Sequence, residues 1–231
     1  MFGDRRDAGR QLAERLARFA ADEPVVLAMP RGGVPVGAEV ADRLDAPLDV
    51  IVVRKIGYPW QPELAIGAIA EGDVRVLNDE LIAKLGVAPG ELEQVTAHEQ
   101  AELARRVARY RGDRPAASIE ERVVILVDDG LATGYTARAA IEAIRRRGAR
   151  RIILAVPVAP EDSLDAMRGV ADETVVVDMP PWFFAIGEFY GDFRPTSDEE
   201  VIALLERAAV RAREPSEPAG RGDPPVPTGR T

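Results

Sequence analysis

The stretch VILVDDGLATGYT, residues 124–136, carries a run of apolar, largely β-branched side chains into two adjacent acids and then a loop of small residues. An unbroken apolar run of this kind reads as a strand buried on both faces, as in parallel sheets. Asp128 and Asp129 end it, and Gly130 and Gly134 let the backbone come close to a bound group. A helix begins near Tyr135. The backbone N–H groups of the loop and first turn, with the hydroxyls of Thr133 and Thr136, therefore converge on a point that favours an anion. The stretch lacks the Gly-Lys-Ser/Thr ending of a Walker loop and the G-x-G-x-x-G spacing of a dinucleotide fingerprint. The plain alternative is a strand–turn–helix junction in which Asp and Thr only cap.

The same strand–loop–helix unit repeats outward from this stretch. EPVVLAMPRGG is a short buried strand ending at Pro30 and a glycine pair, followed by an Ala/Val-rich helix over 34–44 and a second buried strand, LDVIVVRK. On the other side RRIILAVPVA and ETVVVDM are strands, with a helix over 162–170 between them. Near the start, Leu12, Leu16, Phe19 and Ala20 lie at helical spacing; Ala137, Ala140, Ile141 and Ile144 form the inner face of the helix after the opening stretch, stopped at Gly148. Residues 56–72 scatter Pro and Gly among small apolar side chains and predict a long loop with an edge strand. DVRVLND reads as a half-exposed strand, and ELIAKLG and residues 91–111 as helices, with Leu103, Val107 and Tyr110 on one stripe. An aromatic cluster, PPWFFAIGEFYGDF, follows the last strand, and TSDEEVIALLERA closes the fold as a helix capped by Thr196 or Ser197. The alternation predicts an α/β fold with a mostly parallel central sheet flanked by helices. Ligands then sit beyond the carboxyl ends of the strands, at the loops after Met29, Val53, Val127 and Val177. Residues 214–231 hold five prolines and three glycines and predict a disordered tail, leaving 1–213 as one domain.

Composition narrows the function. With 46% hydrophobic and 30% charged residues, 231 residues suffice for one α/β domain with a small cap built on it. The absence of cysteine removes disulfides, thiolate metal sites and a cysteine nucleophile. A formal charge of −9 argues against a nucleic-acid-binding face. The first residues mix charges throughout, and no apolar run approaches the ~20 residues of a membrane span, so the expected location is the cytoplasm, with no membrane partner. The single histidine, His98, lies in a polar stretch, which gives a Ser-His-Asp hydrolase little support.

As a whole string, VILVDDGLATGYT resembles the phosphoribosyl-pyrophosphate signature of the type I phosphoribosyltransferases, and the resemblance extends over roughly residues 1–209. It implies that family's fold, with a small hood beside the parallel sheet. It implies that Asp128 and Asp129 hold ribose hydroxyls, partly through Mg²⁺, and that Gly130, Leu131, Ala132, Thr133, Gly134, Tyr135 and Thr136 complete the ligand site, the loop from Ala132 onward taking the 5-phosphate. AMPRGGVPVGAEVA resembles the family's pyrophosphate loop, with Arg31 as the cation and Gly32 and Gly33 making room. Arg54 and Lys55, placed at another strand end, would neutralise the departing diphosphate. The catalytic set implied is Asp128, Asp129, Lys55 and Arg31, with the metal at Asp128 and Asp129 largely through ligand and water.

Two features qualify the acceptor. Some purine-using members have an aspartate where this chain has Ala132, whereas uracil-type members also carry LATG. Trp182, Phe183 or Phe184 is the candidate to stack on a nitrogenous base, ordinary core packing being the alternative. The string RKIGYPWQPELAIGAIAEG looks like a bacterial subgroup with no agreed base. The expected function is transfer of the phosphoribosyl group of phosphoribosyl pyrophosphate to a nucleobase-like acceptor with release of pyrophosphate. A non-catalytic sensor of that ligand and a generic nucleotide-binding domain are the alternatives, and a homodimer is left open.

Overall fold

The structure is a computed structural model, and it describes residues 1–211; the tail at 214–231 lies outside the described residues. In chain order the strands are β1 (Val25–Ala28), β2 (Leu48–Val50), β3 (Val53–Tyr58), β4 (Gln61–Ala70), β5 (Val74–Leu77), β6 (Val123–Val127), β7 (Arg151–Val158) and β8 (Glu173–Asp178). The helices are α1 (Arg5–Leu16), α2 (Gly33–Leu44), α3 (Asp79–Leu85), α4 (Pro89–Arg111), α5 (Tyr135–Arg146), α6 (Glu161–Asp165) and α7 (Asp198–Arg211).

Five strands form a parallel sheet in the order β2-β1-β6-β7-β8. Successive side chains of a strand point to opposite faces, and both faces are apolar. Val26, Ile125 and Ile153 pack with Leu12, Leu16, Val36 and Val40 of α1 and α2. Leu27, Val124, Leu126 and Leu154 pack with Ala140, Ile141 and Ile144 of α5. β1 lies between β2 and β6, so the connections leave it in opposite directions, and the loops after β1 and β6 open a crevice of the kind that holds ligands in such sheets.

The hood is a second, antiparallel sheet in the order β3-β4-β5, with α3 and α4. Here the structure corrects two readings of the sequence. LDVIVVRK is not one strand: β2 pairs with β1 only as far as Val50 opposite Ala28, and after Ile51 and Val52 the chain enters the hood as β3. Both sheets bury apolar side chains, so periodicity gives no sign of the crossing. Residues 56–72 are not a long loop but a tight hairpin, with β4 as the middle strand. Gly67 is required there by close approach, since a Cβ would stand 2.6 Å from the Val76 carbonyl oxygen. A third correction concerns the helix predicted over 162–170, which ends at Asp165.

α5 lies between the two sheets and is buried on more than one face: Ala139 and Ala143 are covered as fully as Ala140. Arg111, at the end of α4, latches hood to core. It pairs with Glu71 at 2.8 Å and Asp49 at 3.4 Å and donates to the Val50 carbonyl at 2.9 Å. Its side chain is 9% exposed, and loss of one partner of a buried pair costs about 3–5 kcal/mol. Arg111→Ala should therefore lower the melting temperature by roughly 10 °C, at about 2–4 °C per kcal/mol for a chain of this size; a change within 2 °C in a thermal melt would contradict the latch.

Candidate active site

The two motifs at the strand ends share one wall. Met29 N–H, just past β1, donates to the Val127 carbonyl at 2.8 Å, and Gly33 N–H closes the turn on the Met29 carbonyl at 3.0 Å. The Pro30–Arg31 peptide is cis. Gly32 backs onto the acidic pair so closely that a Cβ there would overlap the Asp129 carboxylate; a Cβ on Gly33 would stand 2.7 Å from the Val127 carbonyl oxygen and 2.9 Å from the Asp128 Cα.

Each acid is held differently. The Asp128 carboxylate accepts from the Asp129 N–H at 2.8 Å, its one hydrogen bond among the described residues. Asp129 is buried: its carboxylate takes Arg5 Nε at 2.8 Å, and its carbonyl accepts from Tyr190 Oη at 2.5 Å. Burial raises the proton affinity of both carboxylates. The charge of Asp129 raises Asp128 further, while Arg5 works in the opposite direction on Asp129. Burial first, and then the Asp129 charge, also push the Tyr190 hydroxyl well up, so it stays a donor.

After the acids the loop is pinned at its base and open at its rim. Leu131 N–H donates to the Val158 carbonyl at 2.9 Å, and Ser163 Oγ donates to the Ala132 carbonyl. Gly134 adopts φ of +77°, a left-handed conformation suited to glycine, and starts α5 without a side-chain cap. Among the described residues the backbone N–H groups from Ala132 to Ala137 have no hydrogen-bond partner. Such a row at a helix start favours an anion. The side chains of Thr133 and Thr136 border it, and the Tyr135 hydroxyl accepts from Asn78 of the hood at 2.5 Å.

The basic residues are dispersed. Arg31 follows the β1 end as expected, but its guanidinium is 3.8 Å from Asp198, in a cluster where Asp198 also takes Arg109 at 3.1 Å and Tyr110 Oη at 2.6 Å. Burial and that hydrogen bond push the Tyr110 hydroxyl up to about 12. Arg54 and Lys55 do not stand at a free strand end: they lie within β3, Arg54 paired with Glu99 at 2.7 Å and Lys55 with Glu63 at 3.6 Å. Of the aromatic candidates, Phe183 stacks on Phe189 at 5.4 Å and belongs to a small core, while Trp182 and Phe184 are 79% and 83% exposed. All three border a cleft of about 580 Å³ beyond β7 and β8, which Glu161 and Asp162 also line. His98 is exposed on α4. Sequence reading missed Arg5, Tyr190 and Ser163, which reach the site from distant segments and carry no motif.

A parallel sheet with an acidic strand end, a row of N–H groups at a helix start and a glycine turn around its switch point, under an antiparallel hood, defines an α/β domain of the kind that holds ligands beyond its strand ends. The chain belongs to the phosphoribosyl transferase domain family, whose family model matches residues 5–194. Two curated proteins of Mycobacterium tuberculosis, strains CDC 1551 and H37Rv, both carrying the name "Putative phosphoribosyl transferase", are 47% identical over 226 residues, 98% of this chain and 51% of theirs. The chain thus spans about half the length of these relatives. The uracil phosphoribosyltransferase of Lactobacillus gasseri is 33% identical over 135 residues, 54% of this chain and 60% of its own. The crystal structure of TT1426 from Thermus thermophilus superposes with a TM-score of 0.76 at 43% identity, covering 90% of this chain and 98% of that one.

Proposed function

We infer that the protein transfers the phosphoribosyl group of phosphoribosyl pyrophosphate to a nitrogenous acceptor, releasing pyrophosphate. The observation that supports this reading is the close approach of Gly32 to the Asp129 carboxylate, which sets the glycine turn and the acidic strand end side by side. The N–H groups from Ala132 to Ala137 bind the 5-phosphate, and the acidic pair takes the ribose hydroxyls. The turn at 30–33 receives the diphosphate. Arg31 belongs to that turn and Lys55 to β3 of the hood, and they serve once released from Asp198 and Glu63, pairs at 3.8 and 3.6 Å of small worth. An acceptor nitrogen attacks the anomeric carbon as the carbon–oxygen bond to pyrophosphate breaks, the electron pair leaving with the diphosphate. Trp182 and Phe184 hold the acceptor's ring in the cleft at the β8 end.

The donor set of Asp128 and Asp129 fits a hard cation such as Mg²⁺, since it offers carboxylate oxygens and neither imidazole nor thiolate. Among the described residues no cluster of three or more metal-binding side chains occurs, so carboxylate oxygen of the acidic pair would hold the ion only together with ligand oxygens and water. When bound, Mg²⁺ supplies charge neutralisation on the diphosphate. Among the described residues no helix is long and apolar enough to cross a membrane. The transferase names of the relatives weigh for transfer over ligand sensing alone.

The test combines calorimetry of phosphoribosyl pyrophosphate with Mg²⁺ and a nucleobase panel read by mass spectrometry. Binding together with at least one nucleotide product is expected, and absence of binding to the wild-type protein would sink the reading. Trp182→Ala should raise KM for the accepted base about tenfold or more, the scale of a lost base–aromatic stack; an unchanged KM would move the base elsewhere.

A further inference from the structure

Arg5 stands outside every motif of the site, yet it touches the acidic pair. Its Nε meets Asp129 Oδ2 at 2.8 Å, and the two side chains are 11% and 12% exposed. Its Nη1 donates to the Arg194 carbonyl at 2.8 Å, and its guanidinium carbon lies 3.9 Å from the centre of the Phe193 ring. A planar guanidinium laid on an aromatic face and anchored at two nitrogens holds one orientation. A buried ion pair adds little net stability, and this one lies against both loops of the site: a Cβ on Gly32 would meet Arg5 Nε at 3.2 Å. Tyr190 holds the Asp129 carbonyl from the other side. Asp128 has no such clamp, since its carboxylate accepts only the neighbouring backbone N–H among the described residues.

We propose that Arg5 is a positioning residue that makes the two acids unequal: it clamps Asp129 beneath the pyrophosphate loop and cancels its charge, leaving Asp128 as the carboxylate offered to a divalent cation and ribose hydroxyls. Two carboxylates and one guanidinium leave a single net negative charge. A cation alone therefore meets a weak site, and it binds firmly only together with the diphosphate, whose charge completes the attraction. This second part rests on the phosphoribosyl pyrophosphate reading above.

The test uses Mn²⁺ as the probe, with free ion followed by electron paramagnetic resonance on the full chain, with and without phosphoribosyl pyrophosphate. Wild-type protein should bind Mn²⁺ at least about tenfold more tightly with the diphosphate than without it. Arg5→Met should tighten binding of Mn²⁺ alone by about tenfold and shrink that advantage. Arg5→Lys keeps the charge, so Mn²⁺ alone should stay within about threefold of wild type, while affinity for phosphoribosyl pyrophosphate falls about fivefold or more with the lost fork. Arg5→Met with a lower melting temperature but unchanged Mn²⁺ affinity would overturn the proposal. So would Arg5→Lys with wild-type affinity for the diphosphate, which decides the matter if Arg5→Met does not fold. Wild-type protein that fails to bind phosphoribosyl pyrophosphate would overturn the functional reading instead, and the comparison with Mn²⁺ alone would still judge Arg5.

Discussion

Asp128→Asn together with Asp129→Asn is expected to weaken phosphoribosyl pyrophosphate binding by at least about a hundredfold. Each carboxylate lost removes charge-assisted hydrogen bonds worth about 1.5–3 kcal/mol, and 1.4 kcal/mol is a factor of ten. Calorimetry in the presence of Mg²⁺ measures it, and a loss under tenfold would mean that the ligand sits elsewhere. The single change Asp128→Asn separates function from stability. Asparagine keeps an oxygen for the Asp129 N–H but no charge, and both acids are raised in the fold, chiefly by burial. For a carboxyl raised on folding, the stabilising contribution is complete below its unfolded pKa and is lost as pH rises through the folded value. The ligand-free wild-type protein is thus penalised at neutral and higher pH, and Asp128→Asn should melt a few degrees higher at pH 8, with the gap closing toward pH 5. The opposite trend holds for Asp198, which is lowered mainly by the Tyr110 hydrogen bond and loses its contribution as pH falls. A gap that widened on acidification would contradict the buried, mutually repelling pair.

Gly33→Ala is expected to cost about 1–3 kcal/mol or more of stability, because the new methyl meets two main-chain groups, the Val127 carbonyl and the Asp128 Cα, which cannot turn aside. Gly32→Ala meets side-chain atoms instead, the Asp129 carboxylate and Arg5 Nε. It should cost less stability and more function, displacing the acidic pair and weakening phosphoribosyl pyrophosphate binding tenfold or more, since a misplacement of about 1 Å can cost a hundredfold. Urea melts and calorimetry on both variants give the two axes. Gly90→Ala is the control: nothing lies within 4 Å of its position in α4, so alanine there should be neutral or stabilise by about 0.5–1 kcal/mol. If all three variants behaved alike, crowding at the crevice would not be the reason for glycine.

The two glycines show how far sequence reading reaches. RGG after a strand announces a turn, and the turn is there, but Gly32 has φ of −62°, which any residue adopts. Glycine is demanded by the other strand's acids, brought against it from about a hundred residues away. The opening stretch was legible because strand, acids, loop and helix start are consecutive and each has a local cause. The parallel core followed from the same rhythm of buried runs and amphipathic helices. The hood hairpin was misread because its glycines serve close strand packing and its apolar side chains face a second sheet, so composition imitated a loop. Arg54 and Lys55 read as strand-end residues for the same reason, whereas they lie within β3.

The amino-acid sequence by itself determined the parallel α/β core, the acidic strand end and the anion loop, since these rest on contacts between neighbours in the chain and on periodicity. Only the tertiary structure decided that Arg5, Tyr190 and Ser163 frame that loop, that Arg111 locks the hood to the sheet and that Trp182 and Phe184 stand exposed at the cleft beyond β7 and β8 while Phe183, also at its edge, stacks on Phe189. Each of these depends on where the chain returns in space, and a charged or aromatic side chain carries no local mark of the partner it will meet.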